Sequence, residues 1–230
     1  MTESNNKWEY APSLESTSHI QLKERYELFI DGKWVKPSDN RYFSSINPAT
    51  EEKIAEIAWA SDADVDLAVK AARKAYTEVW SVMKPSERAK YIFRIARLMQ
   101  EKARELAVIE TLDGGKPIRE SRDIDIPLAC NHFFYYAGWA DKLQDAFPNK
   151  TIQSIGVAGQ IIPWNFPILM AAWKMAPALA AGNCVVLKSP DLAPYSAMML
   201  AEVIREAGFP PGVVNVVTGG NELGAWMTEH

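Results

Sequence analysis

The stretch GQIIPWNFPILMAAWKMAPALAAGNCVVLKSP, residues 159–190, decides how this chain is read. An apolar run ends at Ile162, turns through Pro163-Trp164-Asn165-Phe166-Pro167, and gives way to an apolar segment of helical length over 168–182. After Gly182-Asn183 the chain enters CVVLK, 184–188, apolar without alternation. Runs of this kind belong to strands covered on both faces, as in a parallel sheet flanked by helices. The same alternation continues downstream: a helix over 194–208 closed by Gly208, a strand over 212–219, and a helix opening at Asn221. The β-α-β-α-β-α order of 154–230 predicts right-handed crossovers and half of a doubly wound, Rossmann-like α/β fold.

Upstream the pattern is different. Residues 1–27 read as a polar N-terminal arm in coil. YELFIDGKWV, 26–35, predicts two short strands around the turn Asp31-Gly32. FSSINPATEEKIAEIAWAS, 43–61, continues in that style, with NPAT as a turn. A helical region then spans 61–145. Ser61 is placed to cap a first helix whose stripe is Val65, Ala68, Val69, Ala72, Tyr76 and Val79. A second starts after Pro85-Ser86 and runs unbroken to Gly114-Gly115. A third covers about 118–144, and its aromatic cluster (Phe133, Phe134, Tyr135, Tyr136, Trp139) reads as packing. The domain division is thus an arm, 1–27, and an incomplete cofactor-binding domain, 28–230.

Composition narrows the function classes. In 230 residues, 48% apolar and 23% charged describe an ordinary globular protein. A net charge of −4 with scattered Lys and Arg offers no face for nucleic acid. Cys130 and Cys184 lack CxxC spacing and the three histidines do not cluster, so no metal site is expected. The N-terminus has no signal-peptide core, and the most apolar window, 166–187, is interrupted by Lys174, Pro177, Gly182 and Asn183, unlike a membrane span. A cytoplasmic enzyme or binding protein is the class that remains.

In an open parallel sheet ligands bind beyond the carboxyl ends of the strands. Asn165 stands there, between rigid neighbours, where its amide could donate to a developing oxyanion; on residue type alone it is better suited to cap the helix that starts near Phe166. Lys188 and Asp191 could hold nucleotide ribose hydroxyls, or be a solvated Lys and a first-turn Asp. TGGNELG, 218–224, allows close approach of backbone to adenine or phosphate, but does not match G-x-G-x-x-G. Neither cysteine stands at a helix N-terminus that would activate it, and both read as structural.

Taken together, FIDGKWV, INPATEEKIAEI, ETLDGGKPIRES, GQIIPWNFP, APALAAGNCVVLKSP and GFPPGVVNVVTG resemble the NAD(P)-dependent aldehyde dehydrogenase superfamily, from about residue 28 to the C-terminus. The resemblance implies oxidation of an aldehyde to a carboxylic acid with NAD, or NADP, as cofactor. It makes Asn165 the oxyanion-hole amide, places Lys188 and Asp191 on the adenosine ribose, lines the cofactor cleft with Ile161, Ile162, Pro163 and Trp164, and sets Gly220 near the adenine. Three departures stand out. Asp191 replaces the family's usual Glu. The segment between Asp141-Lys142 and Gly156-Val157 is short, which with EYAPSLES resembles the family-16-type branch. The family's nucleophilic cysteine and general-base glutamate match no position here. The resemblance therefore describes the N-terminal half of such an enzyme, inactive alone, with a small-molecule aldehyde substrate in the whole protein, no nucleic acid or membrane partner, and assembly as a homo-oligomer or with the missing C-terminal half. The other reading is a truncated, non-catalytic module that binds a nucleotide or a partner.

Overall fold

A computed structural model describes Thr17, Ile20 and residues 22–230; most of the predicted arm, 1–27, lies outside the described residues. Where the arm is described it does not stay coil. Arg25–Tyr26 form a short strand, β1, that runs parallel to β5 (Lys53–Ala58). Tyr26 is buried, its ring edge-on to Tyr195 at 4.7 Å, and the Tyr195 hydroxyl donates to its oxygen at 2.7 Å. An aromatic pair with its polar ends satisfied is worth more than the entropy of a free end.

The predicted hairpin forms, with β2 (Leu28–Ile30) antiparallel to β3 (Lys33–Val35). Its turn residues Asp31 and Gly32 have φ of 53° and 73°, the left-handed pair that a two-residue hairpin needs. β4 (Tyr42–Ile46) pairs antiparallel with β5, completing a three-stranded sheet of order β1-β5-β4.

Three strands from the second half build the main sheet: β6 (Val157–Ile161), β7 (Cys184–Ser189) and β8 (Val214–Thr218). They are parallel, as predicted, but the five-stranded sheet has the order β3-β2-β8-β7-β6. The N-terminal hairpin joins it, with β2 antiparallel to β8, so the sheet is mixed. Asn215 explains the attachment. Its side chain sits buried in β8, accepts the Asp31 amide at 3.0 Å, and donates to the carbonyls of Val185 and Gly212. A buried amide with all these bonds made fixes register as well as position. β7 and β8 are buried along their whole length, whereas β6 is an outer strand and half-exposed.

The helices pack on these sheets. α1 (Asp62–Ala75) begins where Ser61 predicted it, and Asp64 accepts the Ser61 amide at 2.8 Å and its hydroxyl at 3.0 Å. Two helical predictions need correction. The unbroken helix from Pro85 is two, α2 (Pro85–Glu101) and α3 (Ala103–Gly114), broken at Lys102 with φ −97° and ψ 13°. The break turns α3 toward α8 (Tyr195–Glu206) while α2 lies on α5 (Ile126–Trp139) and α7 (Pro167–Ala180). No Gly or Pro marks it, so periodicity could not find it. The third helix is also divided: α4 (Ile118–Glu120), a wide i→i+5 turn over Ser121–Asp125, then α5 and the short α6 (Leu143–Ala146). Pro127, at the start of α5, has no N–H to continue the ladder. In the aromatic cluster Phe133 is buried as predicted, but Tyr135 and Trp139 are exposed. The last helix, α9 (Asn221–Glu229), follows Gly219-Gly220.

Candidate functional site

The parallel strands β6, β7 and β8 end on one edge, and the register sets Ile161 beside Lys188 and Lys188 beside Val217. Lys188 is 6% exposed; among the described residues its ammonium donates only to the Ser189 carbonyl, at 3.3 Å. Burial lowers its pKa and Asp191 acts the other way. Above the strand ends, Gly220 approaches closely: a Cβ there would stand 2.9 Å from the Trp59 ring and 3.9 Å from the Asp191 carboxylate. At Gly224 a Cβ would stand 3.7 Å from Ile161 and 4.0 Å from the Lys188 side chain. Lys188, Asp191, Gly220 and Ile161, distant in sequence, thus come together. Trp164 joins Asp191 in lining an open cavity of about 320 Å³ that also touches Ser45, Asp113 and Leu192. Ile162 differs: it is 3% exposed and part of the hydrophobic core, tied to the edge by its amide donating to the Lys188 carbonyl at 3.2 Å.

Between β6 and α7 the chain turns through exposed Pro163, Trp164, Asn165 and Phe166. Pro167 is the first residue of α7, where its missing N–H costs nothing. Phe166 occupies the capping position and no side chain caps the helix, so Asn165 is not the cap that the sequence also allowed. The Asn165 amide has no hydrogen-bond partner among the described residues, and its donors remain available to a ligand.

Beneath this turn lies a group of buried charges that the sequence reading passed over. Glu110, Asp113, Asp125 and Lys116 come from α3, the turn after it and the wide turn before α5. Glu110 is fully buried; one carboxylate oxygen takes the Ser196 hydroxyl and the other has no partner. Burial pushes its pKa up to about 7, opposed by the Ser196 bond. The backbone of Ile168, in the first turn of α7, faces this carboxylate and also lowers its pKa. Asp113 accepts the Ser45 hydroxyl and the Tyr195 amide, both at 2.6 Å, and burial lifts it to about 6. Lys116 pairs with Asp125 and holds its ammonium 3.8 Å from the centroid of Phe166. The available signal was spacing: Glu110 and Asp113 follow Leu106 and Ile109 at four residues, on the inward face.

The two cysteines offer no nucleophile. Both are buried, and burial raises the thiol of Cys130 to about 11 and that of Cys184 to about 12. At neutral pH neither supplies a thiolate.

The fold and its ligand edge define an α/β protein of the doubly wound kind, with the beginning of a nucleotide-binding sheet. Comparison with known proteins makes this specific. Residues 34–230 match the model of the aldehyde dehydrogenase family. The chain is 46% identical over 212 residues to an aldehyde dehydrogenase of Alternaria alternata, covering 88% of this chain and 43% of that one. It is 44% identical over 217 residues to aldehyde dehydrogenase B of Escherichia coli, covering 90% of this chain and 42% of that one. The fold matches the NAD+ complex of the Bacillus cereus aldehyde dehydrogenase with a TM-score of 0.86 at 40% identity, over 92% of this chain and 47% of that one. This chain belongs to the aldehyde dehydrogenase family. It spans less than half the length of these relatives.

Proposed function

We propose that this chain supplies the first half of the cofactor site and the oxyanion donor for NAD-dependent oxidation of an aldehyde to a carboxylic acid. The observation that carries the reading is the Asn165 amide, exposed and unbonded at the strand edge that also gathers Lys188, Asp191 and Gly220. Lys188 and Asp191 hold the ribose, Gly220 leaves room for the adenine, and Ile161, Pro163 and Trp164 border the cleft. Ile162 supports that border from the core. The residues suit the group: a buried cation with one carbonyl partner, a carboxylate beside it, and at Gly220 a backbone where a Cβ would crowd the Trp59 ring. NAD supplies a hydride acceptor when bound; NADP is the other candidate.

Asn165 donates to the aldehyde oxygen as negative charge grows on it, a contribution of about 2.7–4 kcal/mol from a preorganised donor. A buried thiol at Cys130 or Cys184 cannot attack that carbonyl, so turnover requires a thiolate from another segment, joined to this one or associated with it. A homo-oligomer is a further assembly open to it. A cytoplasmic setting agrees with two free thiols.

The test is a pair of measurements on the purified chain. NAD should quench tryptophan emission, and aldehyde plus NAD should yield no NADH. Absence of any NAD response would remove the cofactor role, and robust NADH formation would overturn the assignment of the nucleophile elsewhere.

A further inference from the structure

A donor that stabilises developing charge works only if it is already in place, because reorganisation at the moment of reaction would consume the gain. The turn that carries Asn165 has little of its own to hold it there. Its two ends are fixed: the Ile162 amide donates to the Lys188 carbonyl at 3.2 Å, and the Met170 amide donates to the Phe166 carbonyl at 2.8 Å. Between them Trp164 and Asn165 make no hydrogen bond among the described residues. Pro163 and Pro167 restrict φ alone. Among the described residues the turn makes one ring contact, that of Phe166, whose centroid stands 3.8 Å from the Lys116 ammonium.

Lys116 is itself not free to move. Its side chain is 11% exposed and pairs with Asp125, which is fully buried. Oδ2 of Asp125 accepts the ammonium, and Oδ1 has no partner among the described residues. An ammonium that swung away would leave that carboxylate bare in the interior, so burial fixes where the cation stands. The backbone on both sides is shaped for the pairing. Gly115 closes α3 at φ 69°, its amide on the Thr111 carbonyl at 3.0 Å, immediately before Lys116. In the wide turn opposite, the Ile126 amide reaches back to the Ser121 carbonyl, and Asp125 comes to lie in the interior. Such i→i+5 turns gather at functional sites. Glu110 faces the same pair from α3 with an unpartnered oxygen of its own, a second buried carboxylate around the one ammonium.

We propose that Lys116 is a positioning residue for Asn165: anchored on Asp125, its ammonium holds the Phe166 ring, and the ring keeps the turn in one conformation at the strand edge. The inference rests on the reading of Asn165 as the oxyanion donor, and adds how an exposed side chain with no bonds of its own is kept in place. Lys116 touches no reactant and acts through Phe166.

The test is backbone relaxation NMR of the full chain and three variants, with neither cofactor nor aldehyde present. In the parent, the amides of Trp164, Asn165 and Phe166 should have order parameters of about 0.85, those of a rigid backbone. Phe166→Leu removes an exposed ring and leaves the Lys116–Asp125 pair intact. It should lower these three values below about 0.6, while the amides of buried Val186 and Val216 keep theirs. Phe166→Tyr, which keeps the ring, should retain the parent values. Lys116→Met should give the same local loss; the two Phe166 variants keep the inference testable if it fails to fold. A turn already mobile in the parent, as ordered in Phe166→Leu or Lys116→Met as in the parent, or loosened in Phe166→Tyr as well, would overturn the inference. So would a loss of order in Phe166→Leu that spreads through the core. Because no NAD enters the measurement, a chain that ignores NAD removes the functional reading, whereas an ordered turn in Phe166→Leu removes this inference alone.

Discussion

The ammonium of Lys116 stands 3.8 Å from the centroid of the Phe166 ring, and the same ammonium pairs with the buried carboxylate of Asp125. Through this one side chain the turn carrying Asn165 is tied to the wide turn before α5. Gly115, just before Lys116, ends α3 at φ 69° and lies against Pro48, where a Cβ would stand 2.7 Å from that ring. Lys116→Met should cost about 3–5 kcal/mol, because Asp125 is then left buried without its cation. Replacing both, Lys116→Met with Asp125→Leu, should restore much of that loss. Urea denaturation of the single and double variants measures it, and a single variant as stable as the parent would show that the pair contributes nothing.

Stability should fall as pH rises toward neutrality. Burial lifts Glu110 to about 7 and Asp113 to about 6, above the unfolded values of about 4. The folded state therefore holds more protons across this window, and stability declines as pH rises through it. Their contribution is complete below about pH 4 and is lost by about pH 7. Asp125 and Lys116 face Glu110 with opposite effects, Asp125 raising its pKa and Lys116 lowering it. Glu110→Gln should flatten the decline in urea midpoint between pH 5 and 7.5, as a rough range set by these values; an unchanged slope would assign it to other groups.

Asn165→Ala separates two roles. The side chain is exposed and caps nothing, so stability should change by less than about 0.5 kcal/mol, where loss of a cap would cost about 1 kcal/mol. In a protein completed by the cysteine-bearing segment, kcat should drop about 10²–10³-fold. A stability loss with kcat intact would return Asn165 to a structural role.

The proposed ribose contacts of Lys188 and Asp191 are open to direct titration. Lys188→Ala should weaken NAD binding about tenfold or more, the scale of one charge-assisted hydrogen bond. Asp191→Glu, which extends the carboxylate by one methylene, should raise the preference for NAD over NADP. Fluorescence of exposed Trp164 reports both; equal affinities in parent and variants would place the cofactor elsewhere.

Much of this was legible from residue types and order. Unalternated CVVLK and GVVNVVTG announce strands buried on both faces, because only such strands need no polar side. Asp31-Gly32 announces the hairpin, since few residue pairs tolerate two positive φ values in succession. The Pro163–Pro167 turn locates the ligand edge, as that edge follows from strand direction alone. Local chemistry decides each of these, so local sequence shows it.

What the sequence determined by itself was the alternation of elements, the family to which the chain belongs, and the strand edge at which Asn165, Lys188 and Gly220 stand. Only the tertiary structure decided that the N-terminal hairpin extends the main sheet through Asn215, that the helix from Pro85 breaks at Lys102, and that Asn165 does not cap α7. It alone brought Glu110, Lys116 and Asp125 under the Asn165 turn. The reason is physical: propensity and hydrophobic period act over a few neighbouring residues, whereas the pairing of a buried charge depends on which distant segments are packed around it.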